Sequence, residues 1–394
     1  MSAAVPAGVA PILSNSPGSL AWHVWHERHP ALIDQLAAAH PYPPEHLTAL
    51  RTLLAETLTG PVRPLPPAAS DRATWDGWGA DHFGRSWLDV PFLWAESYFY
   101  RRLLEAVGFF TPGPWLGLDP FAFLKAAELD APDLADDLGT LEGTAGLTAA
   151  EKTRVLLHGA LWGNQADLGF RIGVAATSGT VGPSAHLVAD DTTAAVSALT
   201  TGRGTVCLVA DNAGRELLSD LVLVDHLLHA EPAERVTLHL KPYPYYVSDA
   251  TTADLVGCLR RLAAGPPAAA GIADRLRTAA ADGRLDVATH WFYCAPHPYH
   301  RMPDDLADTY AEASVVVLKG DLNYRRLVGD CRWPETTPFA DTVDYFPAPL
   351  VALRTLKSDV VVGLDAADVA ALDSDPAAGR WRVDGRYGLV QVRA

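Results

Sequence analysis

Apolar positions recur at intervals of three and four through the first part of the chain. The rhythm runs through Leu20 to His40 (LAWHVWHERHPALIDQLAAAH), Pro43 to Leu58 (PPEHLTALRTLLAETL), Trp87 to Phe110 (WLDVPFLWAESYFYRRLLEAVGFF) and Ala149 to Asn164 (AAEKTRVLLHGALWGN). That spacing lines one face of a helix with apolar side chains, so residues 18–172 are predicted to form an all-helical domain. Residues 1–17 are small-residue- and Pro-rich and read as a flexible tail. The stretch GVAATSGTVG, Gly173 to Gly182, has neither the Lys-Ser/Thr of a phosphate loop nor dinucleotide spacing, and 173–204 is taken as a boundary region.

Beyond Gly204 the period changes. Short β-branched runs appear: Val206 to Ala210, Val236 to Leu240, Val287 to Phe292, Val315 to Leu318, then LVALRTL, DVVVGL and the terminal GLVQVR. Helical patterns such as ELLSDLVLVDHLLHA and TTADLVGCLRRLAA separate the early ones, and this alternation predicts an α/β domain over 205–394 with a largely parallel sheet.

With 394 residues, 49% hydrophobic and 20% charged, the chain can bury two cores and is neither disordered nor collagen-like. A net charge of −16 repels a phosphate backbone, which argues against nucleic acid as a partner. Cys207, Cys258, Cys294 and Cys331 are dispersed and read as reduced thiols. No basic leader and no long apolar run is present, so the expectation is a cytoplasmic protein without signal peptide or membrane span. His290, Cys294, His297 and His300 crowd together, but their spacing matches no structural zinc pattern and two prolines interrupt them.

Four segments could carry chemistry. Asp211-Asn212 follows the run VCLVA and opens a helix: a carboxylate and an amide there suit a hard divalent cation, or simply cap the helix. Lys319-Gly320-Asp321-Leu322-Asn323-Tyr324-Arg325 follows VVVL and mixes cation and anion recognition as a phosphate site would, or forms a solvated turn. In Arg354-Thr355-Leu356-Lys357, alternation sets Thr355 and Lys357 on one side, opposite Arg354, as in an anion site or a surface strand. Asp249, in SDATT, reads on its own as a helix cap.

Together, D-N-A-G-x-E-L, K-G-D-L-N-Y-R, R-T-x-K and L-W-G-N-Q-A-D-L (Leu161 to Leu168) resemble the damage-control phosphatase family, once called domain of unknown function 89. The branch is that of the sugar-phosphate phosphatases and the proteins named acidic residue methyltransferase. The resemblance runs from about Trp87 to RYGLVQV. It implies a helical domain packed on a three-layer α/β/α, Rossmann-like domain, and a phosphatase using manganese, cobalt or nickel, with magnesium as an alternative. It implies metal ligands at Asp211, Asn212 and Asp249, which replaces the cap reading of Asp249. Substrate contacts carry over to Asp321, Asn323, Tyr324, Arg325 and Lys357, with Glu96, Asn164, Asp167, Lys319, Arg354 and Thr355 as further candidates. Gln165 and Arg215 depart from the family pattern, where a Lys and an aromatic or apolar residue are usual.

The resulting expectation is hydrolysis of a small phosphorylated metabolite such as fructose 1-phosphate or fructose 6-phosphate, with Asp211 or Asp321 as nucleophile or base. The alternatives are S-adenosylmethionine-dependent methylation of protein glutamates, and a non-catalytic sugar-phosphate sensor.

Overall fold

Strand after strand, the α/β half alternates side chains between two apolar layers. In the computed structural model, residues 8–144, 146–163, 186–201, 203–229 and 233–394 are described. The strands are β1 (Leu187–Asp190), β2 (Gly204–Val209), β3 (Ala233–Leu240), β4 (Leu285–Thr289), β5 (Val315–Lys319), β6 (Leu350–Thr355) and β7 (Gly388–Arg393). They form one sheet in the order β1-β7-β6-β5-β2-β3-β4, with β6 and β7 the antiparallel pair. Val206 and Leu208 of β2, with Val315 and Val317 of β5, enter one core; Cys207, Val209, Val316 and Leu318 enter the other. This is the period of two expected of a strand buried on both faces.

The helical unit comprises α1 (Leu20–His23), a π-helical turn (Val24–Arg28), α2 (His29–Ala39), α3 (Pro44–Thr59), α4 (Arg72–Gly79), α5 (Phe92–Ala106) and α6 (Ala122–Leu129). Its own core gathers Trp25, Trp75, Trp87, Tyr98 and Phe99. Next come α7 (Leu134–Gly139), α8 (Ala149–Trp162), α9 (Thr192–Thr201), α10 (Gly214–His229), α11 (Thr252–Ala263) and α12 (Pro267–Ala281). Leu156, Ala160, Leu217, Leu221, Leu255 and Leu276 from these helices cover one face of the sheet. The opposite face takes residues of α13 (Asp304–Ala311), α14 (Gly320–Val328) and α15 (Phe339–Thr342), leaving α16 (Ala366–Ser374) at the periphery. The three-layer expectation holds.

Several boundaries move. Helices α7 and α8, which helical periodicity assigned to the first domain, pack into the α/β core through Leu134, Leu138, Leu156 and Leu161. Residues 187–201, assigned to the boundary region, supply edge strand β1, paired parallel with β7, and helix α9. Gly173 to Gly182 lies outside the described residues. From Ala10 onward the tail is a strap rather than a flexible arm: Pro11 bridges Cys331, the Ile12 N–H donates to Asp330 O at 3.1 Å, and Phe92 N–H donates to Ile12 O at 2.8 Å.

Two predicted strands also change. The run from Val287 stops being a strand after Thr289, where His290 caps a 3₁₀ turn (Trp291–Cys294). DVVVGL is buried but not a strand, because β5 and β7 already occupy both edges of β6. Its backbone is satisfied by loop and side-chain partners instead: the Val362 N–H donates to the Tyr324 hydroxyl at 3.3 Å, Gln391 Nε2 donates to Val362 O at 2.8 Å, and the Gly363 and Leu364 N–H groups donate to Thr337 O and Glu335 O. All four cysteines are buried and free, and among the described residues no helix is long and apolar enough to cross a membrane.

Candidate active site

Strand β2 is followed onward to β3 and β4 on one side, while β5 and β6 lie on its other side, so the crevice beyond the β2 and β5 carboxyl ends is a topological switch point. Asp211 and Asn212 leave β2 there. The loop after β3 folds back over them: Ala213 N–H donates to Ser248 O at 2.7 Å, Ala250 N–H donates to Asp211 O at 2.8 Å, and Asn212 bridges Asp249. A carboxylate, an amide and a second carboxylate thereby converge from two strands. The cap of α11 is Thr251, whose N–H and hydroxyl both donate to Asp254 Oδ2 at 2.8 and 2.7 Å, so Asp249 is not the cap. Its Oδ2 instead accepts the Tyr246 N–H at 2.6 Å, and its carbonyl accepts Lys125 Nζ at 2.7 Å.

The donor set suits a hard cation. Asp211 and Asp249 are 5% and 2% exposed. Burial, then the like charges of Glu216 and Asp249, hold the Asp211 carboxyl well above the usual carboxylate range, against the pull of Lys241 and Lys357. Two buried carboxylates and a neighbouring amide oxygen are what a divalent metal would neutralise. From β5 the chain turns into α14 through Gly320 at φ +82°, and a Cβ there would lie 1.8 Å from Asp211 Oδ2. Only glycine lets the two strand ends come this close.

Asp321, at the start of α14, receives Arg354 Nε at 2.8 Å, the Lys357 N–H at 3.1 Å and the Ser358 hydroxyl at 3.1 Å on a single oxygen. Burial alone would raise its carboxyl, but Arg354 and Arg325 hold it below the usual range. Lys357 is exposed at the cleft, and its charge acts on Asp211 and on Glu128, a residue of α6 that sequence reasoning missed.

Other expected site residues turn inward. Lys319 shares the parity of Val315 and Val317, so its stem enters the core under the site. There its ammonium meets Asp220 at 3.0 Å and Glu216 at 3.3 Å. The contact with Asp220 is a charge contact more than an aligned hydrogen bond, since neither carboxylate oxygen is otherwise partnered. Burial pushes the Asp220 carboxyl up to about 7 even so. Lys319 is therefore not a cleft cation. Glu216, the glutamate of D-N-A-G-x-E-L, accepts Asn212 Nδ2 at 2.9 Å and so orients that amide.

Arg354 belongs to the opposite face of β6, beneath the Tyr324 ring at 4.5 Å, and donates to Asp321, Ser358 and Val360. Thr355 is buried, and β6 is an internal strand rather than a surface one. Asn323 Nδ2 donates to Lys319 O at 2.8 Å and its Oδ1 accepts the Tyr299 hydroxyl at 3.1 Å; the Tyr324 hydroxyl donates to Gln391 at 2.8 Å. Both side chains are engaged within the fold, and Asn323 Nδ2 also reaches the carbonyl of Ala210, next to Asp211, at 3.3 Å. Arg325 pairs with Asp330 at 2.8 Å and Glu96 at 3.3 Å, and burial keeps the Glu96 carboxyl above its usual range despite Arg325. Arg215 joins α10 to α7 through Asp133 and through Asp137 at 2.8 Å. Asn164, Gln165 and Asp167 lie outside the described residues.

Comparison with known proteins identifies relatives of the chain. A family profile described as the damage-control phosphatase ARMT1-like domain matches residues 25–372. A protein named Damage-control phosphatase ARMT1 from Danio rerio is 32% identical over 339 residues, 78% of this chain and 74% of that protein. Its namesake from Mus musculus is 33% identical over 334 residues, 77% of this chain and 74% of that protein. A crystal structure of a DUF89 family protein from Pyrococcus horikoshii aligns with a TM-score of 0.48 at 13% identity, covering 87% of this chain and 96% of that one.

Proposed function

Because this chain belongs to the ARMT1-like damage-control phosphatase family, we propose that it is a metal-dependent phosphatase acting on a small phosphomonoester, a sugar phosphate such as fructose 1-phosphate or fructose 6-phosphate. The observation that carries this reading is the convergence of Asp211, Asn212 and Asp249 at the switch point, under an exposed Lys357. These three residues would hold a manganese, cobalt or nickel ion, which when bound would polarise a phosphoryl oxygen and acidify a water.

The side chains divide the remaining work. Lys357 offsets charge on the phosphoryl oxygens. Asp321, with three donors on one oxygen and its basicity held down, serves to fix the Lys357 backbone and orient substrate rather than to take a proton. Asp211 is the carboxylate left to act as proton acceptor or nucleophile, since one Asp321 oxygen is taken up by three donors. Asn323 and Tyr324 position the α14 turn, and Arg325, through Glu96, ties it to the helical unit.

The test is phosphate release from a panel of sugar phosphates with manganese, cobalt, nickel or magnesium, repeated in excess chelator. Release that depends on added metal is expected. Full release in chelator, or methyl transfer from S-adenosylmethionine to glutamate without phosphate release, would overturn the reading, and metal-dependent ester binding without turnover would make the protein a sensor.

A further inference from the structure

The helical unit brings one cation to the cleft that the foregoing account leaves unused. Helices α1 and α2 are a single helix interrupted by the π-turn at Val24–Arg28, where the His29 N–H reaches the Val24 carbonyl five residues back. Turns of this kind recur at functional sites because they redirect side chains within a helix. Arg28 lies three residues after Trp25 and four before Leu32, which are 0% and 5% exposed. The wider π-turn sets Arg28 at the margin of this buried face rather than on it, and Arg28 is exposed.

The neighbours place this turn beside the site. His29 stacks on Phe99 at 3.8 Å and meets Tyr100 edge-on at 5.7 Å, setting this turn against the Glu96 to Tyr100 stretch of α5. Tyr100 packs on Tyr246 at 4.6 Å, and the Tyr246 N–H holds Asp249. The Tyr100 hydroxyl is buried with no hydrogen-bond partner among the described residues. Groups from three elements act electrostatically on Arg28: Tyr100 and Glu96, Tyr246, and Asp321.

Among the described residues Arg28 makes neither a hydrogen bond nor an ion pair. Glu96 is engaged by Arg325 at 3.3 Å and Asp321 by Arg354 at 2.8 Å. Arg101, Arg325 and Arg354 are buried and each is paired with a carboxylate. Among the described residues Arg28 is thus a guanidinium with its donors free, at the edge of a phosphoryl site, and its planar fork matches two oxygens of a phosphate.

We propose that Arg28 is the residue with which the helical unit grips the substrate's phosphate, from a different wall of the cleft than Lys357, so that both structural units build the binding site. The inference deepens the phosphatase reading and rests on it for the identity of the anion.

Full-length wild type, Arg28→Met and Arg28→Lys are compared in two measurements: binding of inorganic phosphate by calorimetry in the presence of manganese, and steady-state kinetics on a sugar phosphate. Loss of a charged hydrogen-bond donor should weaken phosphate binding and raise KM by about tenfold in Arg28→Met. A smaller fall in kcat, partial recovery in Arg28→Lys and an unchanged ligand-free thermal midpoint are also expected, because Arg28 has no hydrogen-bond or ion-pair partner among the described residues. Phosphate affinity and KM at wild-type values, or a ligand-free destabilisation that accounts for the loss, would overturn the proposal. So would a wild type that binds no phosphate. A wild type that binds phosphate yet hydrolyses no ester removes the enzymatic reading, while the calorimetric comparison still decides the role of Arg28.

Discussion

Replacing Gly320 by alanine tests whether the approach of β5 to β2 is what builds the site. Two costs can be separated. The first is conformational: at φ +82° an L-residue is strained, by about 1–2 kcal/mol. The second is steric: the new Cβ would lie 1.8 Å from Asp211 Oδ2 and 2.5 Å from Asp211 Cβ, so side-chain rotation alone cannot relieve it. For an ordinary contact of at least 3.4 Å, Asp211 or the start of α14 must shift by well over an ångström. Overpacking of this kind costs about 1–3 kcal/mol, and a displacement of that size at a reacting group can cost about a hundredfold in rate. Gly283 supplies the control, since it has φ +71° and a Cβ there would meet nothing within 4 Å. Gly283→Ala should therefore show the conformational cost alone and keep its activity. The assay is chemical denaturation of both variants alongside manganese affinity and phosphate release. Gly320→Ala with wild-type metal affinity and turnover, or with no greater loss of stability than Gly283→Ala, would refute the argument that this contact shapes the metal site.

Asp249→Asn should weaken manganese binding at least tenfold by calorimetry while leaving the thermal midpoint nearly unchanged, because Asn can still accept the Tyr246 N–H and Thr251 remains the helix cap. Lys357→Met should raise KM for a sugar phosphate with metal content unaltered, as its exposed ammonium has no partner to lose among the described residues; steady-state kinetics at saturating metal would show it. Asp220 titrates near 7 when folded and near 4 when unfolded, so the folded state holds the extra proton between those values and this group's contribution to stability falls as pH rises from about 4 to about 7. Thermal midpoints across that range should lose part of this decline in Asp220→Asn, and an identical slope in both proteins would contradict the assignment.

Much of the fold is written in local pattern. VCLVA and VVVL announce central strands because a strand buried on both faces needs apolar residues at every position, and the residues that follow such strands fall at the ligand edge of an α/β sheet. Asp211, Asn212 and Asp321 were legible for that reason. Asp249 was not: it precedes two threonines and an Asp at capping distance, so the local pattern describes a helix start, and only the fold-back of the loop onto Asn212 gives it another purpose. Lys319 was misread because a charged residue at a strand end can face either layer, and its buried partners Glu216 and Asp220 come from a different element. DVVVGL has the composition of a strand, but composition cannot say that both edges of the adjacent strand are taken. Arg28 gives no signal in a helix otherwise read for its apolar face.

Strand β2 is hydrogen-bonded on both sides, to β3 and to β5, and its side chains fill both cores. Its amides should exchange with solvent only through opening of the whole sheet, placing the residues just before Asp211 among the most protected in the chain. A carboxylate rooted there has no private route to disorder. As denaturant or temperature rises, loss of turnover should coincide with loss of the sheet rather than precede it, so that residual activity serves as a direct count of folded molecules.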